Sequence, residues 1–265
     1  MLRMLDARSG CYAEVRSARP GMLLVSAHLR PGAKKPDWTG IRVLLIADLL
    51  ARAAELRGIQ VLTAAVFPGE PPEERTYAER AAGSLDIHPA AARVSSAEAP
   101  AVLGGPADVH ITDPDTAHEQ LSGLVTQAGV VRMRMMGSGE NGPRADGPIP
   151  ADADPLAMRL ALMSHPHHRP VALDDSMLAS ARDMTARWRS QVADWAESPS
   201  RPMPPRVRRA LDAAFGDLDI PRVQRLLTTL VREDDVPAGV KFETFAFADR
   251  VLSLELARQV GRPRL

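Results

Sequence analysis

Between residues 22 and 67 the chain sets out an apolar run, a polar loop, a helical repeat and a second apolar run, an order that few folds accommodate. Residues 22–26 (MLLVS) follow Pro20-Gly21 and have the length and composition of a buried strand. Residues 27–40 (AHLRPGAKKPDWTG) are rich in Gly, Pro and Lys and read as a loop. Residues 41–57 carry Leu and Ile at helical spacing and stop at Gly58, which suits the position just past a helix. Residues 59–67 (IQVLTAAVF) form a second strand, closed by Pro68-Gly69. A helix between two strands gives a crossover long enough to lay them parallel. The expectation is therefore an α/β protein.

Downstream, residues 71–84 are polar and read as a helix, 107–111 (ADVHI) as a third strand, 116–127 as a helix and 130–136 (VVRMRMM) as a strand. Residues 137–154 are dense in Gly and Pro and read as a long loop. Beyond it the pattern is helical: 155–164 with Pro in the first turn, 175–195, 206–215, 220–231 and 242–260, with a Pro-rich break at 198–205. The expected organisation is a parallel-sheet domain over residues 1–150 and an all-helical domain over 151–265.

Charge narrows the partners. The 33 basic and 33 acidic residues cancel, so the chain lacks the bulk attraction to a phosphate backbone that nucleic-acid binding exploits. Cys11 is the only cysteine, which excludes an intrachain disulfide or a multi-cysteine zinc site. The first residues, MLRMLDARSG, lack the apolar segment of a signal peptide. The apolar runs fall far short of the roughly 18 residues that span a bilayer. The expectation is a cytoplasmic protein with no membrane association.

A sequence of pieces in fixed order then suggests an origin. MLRMLDARSG, MLLVSAH and IADLLARAAELRGIQVL are followed by GGPADVHITDPDTAHEQ, RMMGSGEN, DPLAMRLALMSH and RALDAAFGDLDIPRVQRLL. Together they resemble the cysteinyl-tRNA synthetases and the related ligases that join cysteine to glucosaminyl-inositol in mycothiol synthesis. That resemblance implies a Rossmann-like (HUP-type) parallel sheet followed by helices, with ATP as the one cofactor it leaves open. It places the HIGH signature on Asp37-Trp38-Thr39-Gly40 and the KMSKS signature on Arg134-Met135-Met136-Gly137-Ser138. The implied nucleotide-contacting positions are Thr39, Gly40, Arg134, Met135 and Ser138. The implied substrate pocket holds Ser26 and Asp108.

At each of these places the residues that adenylation needs are missing. Both histidines of HIGH are absent, and Asp37 brings a negative charge toward a polyphosphate. Arg134 keeps a cation in place of the first KMSKS lysine, without a lysine's geometry, while Gly137 replaces the second. Zinc needs about four N, S or O ligands. Here Ser26 stands at the first cysteine position and Asp113-Pro114-Asp115 at the histidine–glutamate segment. No metal site is expected, and zinc least of all.

Other polar groups read as structural. His165, His167 and His168 tempt a metal reading, but the nearby prolines make convergence awkward, and the resembling family has a metal-free His-rich loop at this junction. His88, His110 and His118 read as surface or capping residues. Residues 137–142 (GSGENG) resemble a phosphate cradle without P-loop spacing. Lys34-Lys35 and the basic run 206–209 read as solvated faces, and Met133, Met135 and Met136 as core.

The reading that follows is a synthetase-like chain that has lost cysteine adenylation and zinc binding and works as a non-catalytic or repurposed paralogue, a pseudoenzyme. Its expected partner is a second copy of itself or another enzyme. The alternative is an ATP-dependent amino-acid-activating ligase that uses Arg134, Lys34 and Lys35 as substitutes. Recognition of tRNA is the weakest reading, for want of a basic face.

Overall fold

The structure, a computed structural model, describes residues 1–30, 37–134 and 154–262. An antiparallel hairpin opens it, β1 (Arg3–Leu5) and β2 (Tyr12–Glu14). The βαβ unit read from the sequence follows as β3 (Met22–His28), α1 (Trp38–Glu55) and β4 (Gln60–Phe67). Helix α1 begins three residues before the apolar repeat because Asp37 caps it, accepting the Gly40 N–H at 2.8 Å. Helix α2 (Tyr77–Ser84) starts at a capping box in which Thr76 and Glu79 each bond the other's backbone N–H. It leads to β5 (Ala92–Ser95), the short α3 (Ala99–Leu103) and β6 (Val109–Thr112).

The expected helix over 116–127 is not formed. Its second half is a strand, β7 (Leu124–Gln127). Gly123 is the physical reason. Its φ is +79°, and a Cβ there would lie 2.6 Å from the Ala107 carbonyl oxygen and 2.7 Å from that of Asp108. A helix cannot run through that residue, and the β-branched Val125 and Thr126 beyond it suit a strand.

Strands β3 to β7 form one parallel sheet in the order β5-β4-β3-β6-β7. This is the doubly wound arrangement, with the direction of winding reversing between β3 and β6. Alternation along β3 sends Leu23, Val25, Ala27 and Leu29 to one face and Leu24 to the other. The first face packs on α1 in the main core. On the second, Leu24, Ala64, Val66 and Val94 meet Ala99 and Leu103 of α3 in a smaller core.

β8 (Val131–Arg134) pairs in parallel not with this sheet but with β9 (Val171–Asp174), which follows α4 (Pro155–Leu162). The remainder is helical: α5 (Asp175–Trp195), α6 (Pro205–Gly216), α7 (Ile220–Arg232) and α8 (Ala238–Leu252). The expected extension of the last helix to residue 260 fails because Ser253 takes a left-handed conformation. The Asp249 carboxylate then accepts the N–H groups of Leu254 and Leu256, curling the chain back. Fold class is as the sequence implies, α/β with a C-terminal helical portion, apart from the one strand β9 inside that portion. Among the described residues no helix is long and apolar enough to cross a membrane.

One buried polar cluster ties the sheet side to the helical side. Asp48 of α1 pairs with Arg159 of α4 at 2.6 Å, both side chains fully buried. Arg159 also donates to the carbonyls of Leu252, Leu85 and Asp86, and Arg52 and His88 complete the ring around Asp48. Burial alone would raise the Asp48 carboxyl; the two arginines overcome it and hold it below the usual carboxylate range.

Candidate functional site at the reversal of the sheet

In open parallel sheets, ligands bind beyond the carboxyl ends of the strands where the winding reverses. Here that crevice lies past His28 of β3 and Thr112 of β6, whose side chains face away from α1. The register opposes Ser26 to His110, so Ser26, His28, His110 and Thr112 share one face of the sheet. All four are buried.

Their arrangement is specific. His28 Nε2 lies 3.0 Å from His110 Nδ1, with ring centroids 5.3 Å apart. Burial lowers both imidazoles to about 4; each other's proximity adds to the shift of His28, while the Ser122 backbone opposes that of His110. Both rings are therefore neutral near pH 7, and one donates a hydrogen to the other. Thr112 Oγ1 is buried with no hydrogen-bond partner among the described residues, and His110 Nε2 has at most a loose contact with the Ser122 backbone. Unpaired buried polar groups cost about 1–3 kcal/mol and call for an explanation such as a ligand.

The charged groups nearby are spoken for. Arg30 pairs with Asp113 at 2.6 Å and also with Asp115. The Asp113 carboxyl, which burial would raise, is held low by Arg30. At α1 the Asp37 carboxylate bonds Gly40 N–H and fills the space a Cβ on Gly40 would take, so a larger residue there would displace the capping carboxylate. A helix start is a natural anion site; in this one a carboxylate of the chain itself has taken the place.

The positions read from the sequence separate in space. Ser26 shares the face of His28 and His110, whereas Thr39 and Gly40 lie on α1, across the sheet. The Thr39 hydroxyl, however, accepts the N–H of Val131 at 3.1 Å and so moors α1 to β8. Asp108 stands at the other end of β6, where its two oxygens accept the N–H groups of Ala18 and Leu24, each at 2.8 Å. It is a staple of the fold, remote from the crevice. Arg134 ends β8 beside Asp174, whose carboxyl is lowered mainly by Met177 N–H and Ser176, with Arg134 a smaller cause. Met135 and Ser138 lie outside the described residues, as do Lys34, Lys35, Met136, Gly137 and the rest of the Gly-rich run.

Histidines divide differently from expectation. His110, expected as a surface or capping residue, is buried beside His28. His88 bonds Asp48. His118 sits near Gln127 and the Thr116 carbonyl. His165, His167 and His168 do not converge on a point. His165 bonds Ser164, whereas His167 is deeply buried, lowered to about 3 mainly by that burial, and touches His168 edge to face. What holds this loop is Arg42 of α1, which donates to the carbonyls of Gly129, His165, Pro166 and Arg169. Among the described residues no group of three or more His, Cys, Asp or Glu side chains could hold a metal ion.

The His28–His110 pair escaped sequence reasoning, because its signal exists only once the register is known: two parallel strands, each with a histidine on the same face.

No protein-family model matches this chain, and no curated protein matches it. Among solved structures it is similar to a Campylobacter jejuni protein provisionally described as an arginyl-tRNA synthetase, with 10% identity and a TM-score of 0.49 over 92% of each chain. A likeness that faint adds nothing to what the strand order already establishes.

Proposed function

We propose that this chain descends from class I synthetase-type ligases but no longer activates an amino acid with ATP, and that its crevice serves a binding role. The observation that carries this reading is the Asp37 carboxylate at the start of α1. It takes the Gly40 N–H, one of the donors that a phosphate would need, and it would repel the phosphate by charge. Arg30 at the strand ends is already neutralised by Asp113 and Asp115, and Arg8, whose charge reaches His110, is taken up by Asp6 and the carbonyls of Leu121 and Gly123. The remaining polar groups, His28, His110 and Thr112, are uncharged near pH 7. They suit a neutral hydrogen-bonding ligand better than a polyphosphate.

The test is amino-acid-dependent ATP–pyrophosphate exchange with cysteine and a panel of other amino acids, alongside calorimetric titration with ATP. The expected result is exchange at background and no ATP binding. Exchange above background with any amino acid would restore the ligase reading.

A further inference from the structure

The basic run 206–209, together with arginines of the following helix, frames a groove apart from the crevice. Helices α6 and α7 are joined by Asp217–Asp219 and pack against one another. The groove along them holds about 340 Å³, at the lower end of the range of pockets that take a whole ligand or several side chains. Its floor includes Val207 and Leu226, which are only half-buried, and the buried Leu227 and Leu230. Its rim carries Arg206, Arg222 and Arg225, all exposed, and one carboxylate, Glu233. Arg208 differs from these three, because it pairs with Asp212 and stacks over the Phe247 ring at 4.1 Å. Among the described residues the guanidinium groups of Arg206, Arg222 and Arg225 have no hydrogen bond or ion pair.

Three unpaired guanidiniums around an apolar floor ask for carboxylates attached to an apolar body. Their spacing decides which kind. Arg222 and Arg225 stand one turn apart on α7, about 4.5 Å along its axis at 1.5 Å per residue, with Arg206 on the opposing helix α6. A single small anion would need cations converging on one point; Arg206 in the first turn of α6 and Arg222 in the first turn of α7 are instead toward opposite ends of two packed helices joined by three residues. An RNA strand would need aromatic platforms for its bases, and none line the groove.

We infer that this groove docks an acidic amphipathic helix of a partner protein, with apolar side chains laid on Val207 and Leu226 and carboxylates answering Arg206, Arg222 and Arg225. This is the helix-in-groove mode of recognition, with charge setting partner choice. It does not depend on what the crevice binds.

The probe is a fluorescent peptide of about 18 residues, with leucine at i, i+3, i+4 and i+7 and glutamate on its other faces. Controls are the same peptide with lysine for glutamate, the glutamate peptide scrambled, and a single-stranded oligoribonucleotide. Anisotropy on the full chain is expected to show saturable binding of the glutamate helix alone, weakened by salt. The R206Q/R222Q/R225Q variant should weaken it about tenfold or more, whereas R206K/R222K/R225K, which keeps the charges, retains most of it. All three positions are exposed, so circular dichroism should be unchanged in both variants. No binding of the glutamate helix, equal binding of the scrambled peptide, or equal affinity in the glutamine variant overturns the proposal. So does tighter binding of the oligoribonucleotide. A concentration-dependent dimer that the glutamine variant abolishes assigns the groove to a second copy and overturns it too.

Discussion

His28 and His110 share one hydrogen across 3.0 Å, an arrangement that is lost once both rings are protonated. Each titrates at about 4 in the folded chain, with burial the first cause, against about 6.5 when unfolded. His167, at about 3, behaves alike. A histidine whose folded value is depressed contributes stability that is present above the unfolded value and lost as pH falls toward the folded one. Between pH 7.5 and 5 the loss is about 1–2 kcal/mol per histidine. Urea midpoints measured across that range should fall with pH and flatten in part in H110N, which cannot take up a proton. A flat wild-type profile would contradict the neutral pair.

Two elements hinge on single residues at their ends. Asp37 both caps α1 and bars anions from it, and the two roles separate by substitution. D37A should lose about 1 kcal/mol of stability, the value of a helix cap. D37S should keep that stability and, without the charge, bind sulfate or ATP more tightly than wild type in calorimetry. If D37S gains no affinity for anions, the carboxylate is not what excludes them. G123A should cost about 1–3 kcal/mol, because Gly123 combines a left-handed φ with carbonyl oxygens pressed where a Cβ would go. Thermal denaturation reads that loss directly. These ends also show what the sequence made legible. The repeat of α1 and the apolar runs of β3 and β4 appear without ambiguity because each is long and has one period. β5 and β7 are four residues each; β6 has the same length yet reads as a strand, whereas ARVS and LVTQ give no sign that separates a strand from a helix or a loop. The first half of the 116–127 segment imitates a helix until Gly123 interrupts it. Ser26, Thr39 and Gly40 are legible only as positions: that Ser26 stands opposite His110 and that Thr39 holds Val131 depends on a register that no spacing displays.

At the scale of the whole molecule, the composition shift near residue 150 predicts two units, while the packing joins its two sides. Main-core residues run from Leu2 to Leu256. The Asp48–Arg159 pair, fully buried and 2.6 Å apart, crosses from α1 to α4, and Arg159 reaches on to Leu252 at the end of α8. Removing one partner of such a pair leaves a charge stranded in the core and costs about 3–5 kcal/mol. Replacing both with apolar residues recovers much of that loss when the volume is kept. R159A should therefore destabilise strongly, and D48L/R159M far less than the two single losses together. The effect should also be felt on both sides at once. Trp38 reports on the sheet side, and Trp188 and Trp195 report on α5, where they pack edge to face against Phe245 of α8. In variants that keep tryptophan at one side only, urea transitions should coincide for wild type and shift together in R159A, as one cooperative unit requires. Separate midpoints, with R159A moving one alone, would mean that the clip joins two units that unfold independently, and the boundary near residue 150 would then be a thermodynamic one as well as a change in composition.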